Sequence, residues 1–253
     1  MSEAATNLES AVPQELEPAR PTSPAERLGA IAEVVLCSGF PTQLFLATLM
    51  SAFGMRLQTA DGQWSPLFVS VLSLLDTVFV VGLVALFLRT HGQHARDVLI
   101  GWRSPLREAV WGLALLVPML VVAALILRAL LTVAPQLHNV TRNPFQAMLT
   151  DPIQAAIFGL VVVVAGGVRE EIQRGFILHR FEQYLGGGVV GVIVYSAAFG
   201  LGHVEQGWDA AIAVSALGAI WGTIYLIRRS VIAPMVSHAG FNLAQVLSFL
   251  ALR

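Results

Sequence analysis

The sequence predicts an all-α fold, a polytopic membrane bundle of about seven transmembrane helices. Of its 253 residues, 56% are hydrophobic and only 12% are charged, and the mean hydropathy is +0.71. Apolar runs of the ~20 residues that cross a bilayer recur along the chain. The alternating ten-residue segments of a membrane β-barrel do not. The net charge of −1 gives no basic footprint for nucleic acid, so the expected partner is the lipid bilayer.

Residues 1–28 are rich in Pro, Glu, Ala and Ser. They lack apolar periodicity and read as a disordered polar tail. They also lack the basic start and apolar core of a secretory signal. Residues 29–150 hold the first three spans. Ile31 to Phe53 is interrupted by "SGFP", Pro66 to Leu88 follows, and a polar linker with Arg89, Arg96, Arg103 and Arg107 leads to Ala109–Val133. Residues 151–253 carry four more. The first runs from Asp151 to Leu185, longer than a simple crossing, and "GGG" at Gly186–Gly188 breaks it. Val189–His203, Ala210–Ile227 and Val231–Leu250 complete one integral membrane domain.

Arginines set the expected orientation. The second, fourth and sixth loops carry Arg89, Arg96, Arg103, Arg107, Arg180, Arg228 and Arg229; the first and third carry Arg56 and Arg142, and the fifth none. The first group is expected in the cytoplasm, with the N-terminus. Short loops and arginine in place of lysine give the chain a bacterial look, so the inner (plasma) membrane is the expected location.

Ionisable residues inside a bilayer are costly and usually face a bundle interior or cavity. Four sets fall within spans: Glu170, Glu171 and Arg174 in "GGVREEIQRGF"; His203 in "FGLGH"; His238 and Asn242 in "SHAGFN"; and Asp76, which stands alone. Glu170 and Arg174 are i,i+4 and share a helix face, as do His238 and Asn242. Glu170 and His203 both lie ~25 Å from the Gly186–Gly188 turn at 1.5 Å per residue, so a hairpin brings them level. Glu171 points about 100° from Glu170 on an ideal helix, although a π-bulge near Gly166–Gly167 would redistribute the faces.

Such a pocket suits hydrolysis. A carboxylate takes a proton from water as general base. Two imidazoles either bind a metal that acidifies the water or hydrogen-bond it directly. Asn242 could donate to a developing oxyanion, and Arg174 would keep Glu170 ionised. Each set also has a structural reading: an ion pair, a packed histidine with a satisfied hydrogen bond, a lone buried Asp76. Their concurrence on consecutive helices favours a site.

The three motifs resemble the signature of the CPBP family of intramembrane proteases, which includes type II CAAX prenyl endopeptidases and proteins linked to bacteriocin processing or immunity. Phe199 with His203, and His238 with Asn242, stand at the family spacing. "EEIQRGF" departs from it, with two residues rather than three between the second Glu and Arg174. Aligned on Arg174, Glu170 takes the place of the second family glutamate and Arg169 the first; aligned on the Glu pair, Glu170 takes the catalytic place. The resemblance implies an endopeptidase acting on a membrane-associated peptide or protein. Its catalytic set would be Glu170, Glu171, Arg174, His203, His238 and Asn242. A divalent metal such as zinc, if used, would be held by His203 and His238 with Glu170 or Asn242. The alternative is a non-catalytic protein of the same fold with an immunity or chaperone-like role. A small transporter would show inverted repeats, and the sequence has none.

Overall fold

The computed structural model describes residues 22–149 and 151–251. Residues 1–21, most of the expected tail, lie outside the described residues. The remainder of that tail is partly helical. Ser23 caps helix α1 (Pro24–Leu36): its hydroxyl accepts from the Glu26 amide while the Glu26 carboxylate accepts from the Ser23 amide. This reciprocal box satisfies two otherwise orphaned donors. The "SGFP" interruption is a 44° bend at Gly39, whose φ of +84° suits glycine, and α2 (Phe40–Ala52) follows.

α3 (Pro66–Thr90) and α4 (Pro105–Val133) are long apolar helices started by Pro in the first turn. α5 (Pro152–Tyr184) is a single 33-residue apolar helix whose middle, Val162–Arg169, is π-helical. The π segment falls where the β-branched run Val161–Val164 meets Gly166–Gly167. α6 (Gly188–Leu201), α7 (Trp208–Arg228) and α8 (Ile232–Ala251) complete the chain. Among the described residues the only strand-like feature is an isolated bridge between Gln58 and Trp64.

By length and composition, four helices (α3, α4, α5 and α7) can cross a membrane, or five if the bent pair α1–α2 is one span. The expected count of seven is not reached on that criterion. α6 is apolar but only 14 residues long, and α8 carries Ser237, His238, Asn242 and Gln245 along its 20 residues. Both nevertheless pack inside the bundle, α6 against α5 and α7, and α8 against α4 and the π segment. The outward faces suit lipid: Leu113, Val117, Val121 and Leu125, at successive i,i+4 positions of α4, are 51–65% exposed.

Lipid is as apolar as leucine, so small residues rather than hydrophobicity bring membrane helices together. α8 touches α4 at Gly112, where a Cβ would lie 2.6 Å from the Val236 Cβ. It touches the π segment at Gly167, where a Cβ would lie 2.5 Å from the Ala239 Cβ and 2.9 Å from its Cα. Backbone atoms cannot yield as a flexible side-chain tip does. Gly167→Ala is therefore expected to destabilise by about 1–3 kcal/mol through overpacking, read as a lower thermal midpoint in detergent. An unchanged midpoint would mean that α8 can slide away freely.

At one end of the bundle, arginines from three of the arginine-bearing loops meet acids that are buried or partly buried. Arg228 makes a fork to Glu108 at 2.6 and 2.7 Å. Arg103 Nε donates to the Arg228 carbonyl at 2.8 Å, and Arg229 pairs with Glu182. Arg180, fully buried, donates to Glu33 at 2.6 Å and to Gln93 and Gln183 at 2.8 Å. The opposite end is tied by His138 to Asp209 at 2.7 Å and Asn143 to Gln206 at 3.0 Å.

Candidate active site

The polar residues of α5 meet those of α8 deep in the bundle. Glu171 is the centre: 1% exposed, its Oε1 accepts from His238 Nδ1 at 2.7 Å and from Arg174 Nη1. This corrects the expected pairing. Arg174 takes Glu171, its i−3 neighbour, rather than Glu170 at i−4. Both lie within reach on a helix. The guanidinium is drawn to the Glu171 side by an aromatic box, with its Cζ 4.7 Å from the Phe199 ring centroid, 5.6 Å from Tyr195 and 5.8 Å from Trp221. Cation–π attraction stabilises a desolvated guanidinium there. Glu171, about 100° from Glu170 on an ideal helix, lies in the pocket beyond the π segment Val162–Arg169.

Glu170 occupies the neighbouring position with fewer commitments. Its Oε1 is 3.4 Å from Arg169 Nη2 and its Oε2 is 3.7 Å from His238 Nε2. Its side chain is 14% exposed, against 1% for Glu171. His238 therefore has a carboxylate on each side. Glu171 at Nδ1 fixes which ring nitrogen carries the proton and leaves Nε2 facing Glu170. Trp221 stacks on the imidazole with centroids 4.0 Å apart and planes 18° apart, and its Nε1 donates to Ser237 at 3.2 Å.

Asn242, one turn beyond His238, lies against the π segment, where any Cβ at Gly166 would collide with its Nδ2. His203 sits at the end of α6, half-buried, with Nδ1 2.8 Å from the Phe199 carbonyl. Phe199 joins the two histidines: its ring centroid is 4.8 Å from that of His203 and 6.1 Å from that of His238. Among the described residues no hydrogen bond or ion pair links His203 to Glu170, so the hairpin brings His203 to the rim of the cluster rather than into contact with the carboxylates.

Several buried polar atoms here have no hydrogen-bond partner: Glu171 Oε2, Arg174 Nε and Nη2, and Tyr195 OH. An unpaired buried polar group costs about 1–3 kcal/mol, and such groups ask for an explanation such as a catalytic role. A separate cavity of about 490 Å³ opens at the arginine-rich end, lined by Gln93, His94, Asp97, Trp102, His179 and Arg229 among others. It contains none of the α5–α8 cluster, and convergence of polar groups, not volume, defines the candidate site.

The donors do not form a metal set as arranged. Among the described residues no three His, Cys, Asp or Glu side chains group so as to hold an ion. His238 Nδ1 is engaged by Glu171 at 2.7 Å, and His203 Nδ1 lies 2.8 Å from the Phe199 carbonyl.

Sequence reasoning did not anticipate Trp221, Tyr195 or the place of Arg169. "GAIWG" held a signal for the first: Gly218 and Gly222 flank Trp221 and lie against Phe199, Leu178 and the Arg174 side chain.

Residues 152–244 match the family model described as type II CAAX prenyl endopeptidase Rce1-like. No curated protein and no solved structure matches the chain. The matched stretch contains Glu170, Glu171, Arg174, His203, His238 and Asn242, the residues on which the motif resemblance rested. The match over residues 152–244 supports the resemblance to type II CAAX prenyl endopeptidases that the motifs carry.

Proposed function

We propose that the protein is an intramembrane endopeptidase that hydrolyses a peptide bond of a membrane-associated protein. The observation that carries this is the division of labour between two adjacent carboxylates around one imidazole. Glu171, 1% exposed, commits its Oε1 to both His238 and Arg174. Glu170, 14% exposed and so the more accessible of the two, turns its Oε2, which no hydrogen bond occupies, toward Nε2 of the same ring.

Glu170 acts as general base. It takes a proton from water as the water oxygen bonds to the scissile carbonyl carbon. The resulting oxyanion is met by donors on the other helices, Asn242 Nδ2 and the His203 ring. Collapse of the tetrahedral species breaks the C–N bond, and the proton held by Glu170 passes to the leaving amine. Glu171 holds the His238 ring in one tautomer and orientation throughout, as an acid fixes the histidine of a hydrolytic triad. Arg174 pairs with Glu171 and is not in contact with substrate. No step runs through a metal; cleavage that persists in a strong chelator is the expected outcome, and loss restored by zinc would assign the imidazoles to an ion instead.

The test compares the membrane proteomes of cells carrying wild-type protein and Glu170→Ala, seeking a membrane-associated protein cleaved only by the former. A synthetic prenylated CAAX peptide is a second substrate, because the family is named for that activity. If wild type cleaves nothing while Glu170→Ala still complements a deletion, the non-catalytic alternative replaces this reading.

The arginine bias predicts that the linker around Arg103 and Arg107 faces the cytoplasm, with the N-terminus. Ser104→Cys, at an exposed position and with Cys37→Ala removing the native thiol, should resist an impermeant thiol reagent in intact cells. Rapid labelling from outside would reverse the orientation.

A further inference from the structure

Asp76 is fully buried on α3, far in sequence from the family-matched segment. An ionisable side chain at such depth is expensive and normally has a named partner and a task. Its partners are Thr42 Oγ1, Gln43 Nε2 at 3.1 Å, and Arg169 Nη1 at 3.5 Å. Arg169 is in turn the immediate neighbour of Glu170, with its Nη2 3.4 Å from the Glu170 Oε1.

We propose that Asp76 is a positioning residue: it holds the Arg169 guanidinium between two carboxylates, so that Glu170 stays in place with an oxygen free to accept a proton. The proposal rests on the hydrolytic reading above.

Arg169 is divided. A closed charge-assisted bond measures about 2.7–2.9 Å, yet its contacts to Asp76 and Glu170 are 3.5 and 3.4 Å. Its shortest contact is to a neutral group, with Nη1 donating to Gln173 Oε1 at 3.0 Å. A guanidinium released from Asp76 would close on Glu170 with two parallel bonds, the geometry it prefers. Both carboxylate oxygens would then be occupied, and the base would be lost without loss of the fold.

The N-terminal helices are shaped to prevent this. Thr42 of α2 holds Asp76 Oδ1, and Gln43 donates to Oδ2, the oxygen that also faces Arg169, so the carboxylate is fixed by α2 on both oxygens. The bend between α1 and α2 is where the fork arrives. A Cβ at Gly39 would stand 3.2 Å from Arg169 Nη1 and 3.5 Å from the amide nitrogens of Gln173 and Gln43. The interruption in the first span thus has a use beyond bending: it makes room for the clamp.

The test measures kcat, KM and thermal midpoint for full-length wild type, Asp76→Asn, Arg169→Gln and the double variant, using the substrate found in the proteome comparison. Asp76→Asn is expected to lower kcat per folded protein on the order of 10–100-fold, the cost of a misplaced catalytic group, with KM unchanged. Adding Arg169→Gln should restore much of that kcat, because no guanidinium remains to close on Glu170. The thermal midpoints should be non-additive, as expected for residues in contact. Wild-type kcat in Asp76→Asn, or a double variant no faster than Asp76→Asn, overturns the positioning role and leaves the endopeptidase reading standing. Additive midpoints overturn the clamp itself. Wild-type protein that cleaves neither proteome nor peptide overturns the endopeptidase reading, and this proposal with it.

Discussion

Glu171→Gln is expected to unfold the protein before it can be assayed well. Arg174 and Glu171 are each 1% exposed, and the carboxylate also holds the His238 ring. Removing one member of a buried ion pair leaves the other charge uncompensated, at a cost of about 3–5 kcal/mol. An amide also cannot serve Arg174 and the His238 N–H through one oxygen as strongly as a carboxylate. The variant should give poor yields of monodisperse protein and a markedly lower thermal midpoint. Removing the stranded cation should reverse part of the damage, so Glu171→Gln with Arg174→Gln is expected to be more stable than Glu171→Gln alone. Cleavage should stay lost in the double variant, because nothing then fixes the His238 ring. If Glu171→Gln melts with the wild type, the contacts of Glu171 with Arg174 and His238 are not what stabilises the packing of α5 on α8.

Much of this arrangement was legible in the sequence. The length of α5 and the "GGG" turn after it followed from the run of apolar and glycine residues, and Gly166–Gly167 marked where a π segment could form. So did the meeting of the α5 and α8 motifs, since polar residues in lipid have few places to go. The wrong partner for Arg174 has a local cause. On a helix, i−3 and i−4 are both neighbours, and only tertiary contacts decide between them. Here the aromatic box of Tyr195, Phe199 and Trp221 decides. Asp76 read as solitary because its partners come from α2 and from the π segment, elements that no local pattern joins. The span count is lower on length and composition because α6 and α8 are built for contact with protein. α6 is short, and α8 gives one face to the site.

The most direct test of the central claim is turnover of the identified substrate by Glu170→Gln. The substitution keeps the shape of the side chain and leaves Arg169 its contacts with Asp76 and Gln173. A neutral amide costs less to bury than a carboxylate, so the thermal midpoint should stay close to that of wild type. What is removed is the proton acceptor. General base catalysis contributes about 10²–10⁴-fold, and kcat is expected to fall by that much with KM little changed. A folded Glu170→Gln protein that turns over substrate like wild type would contradict the account, because the water would then be activated by another group.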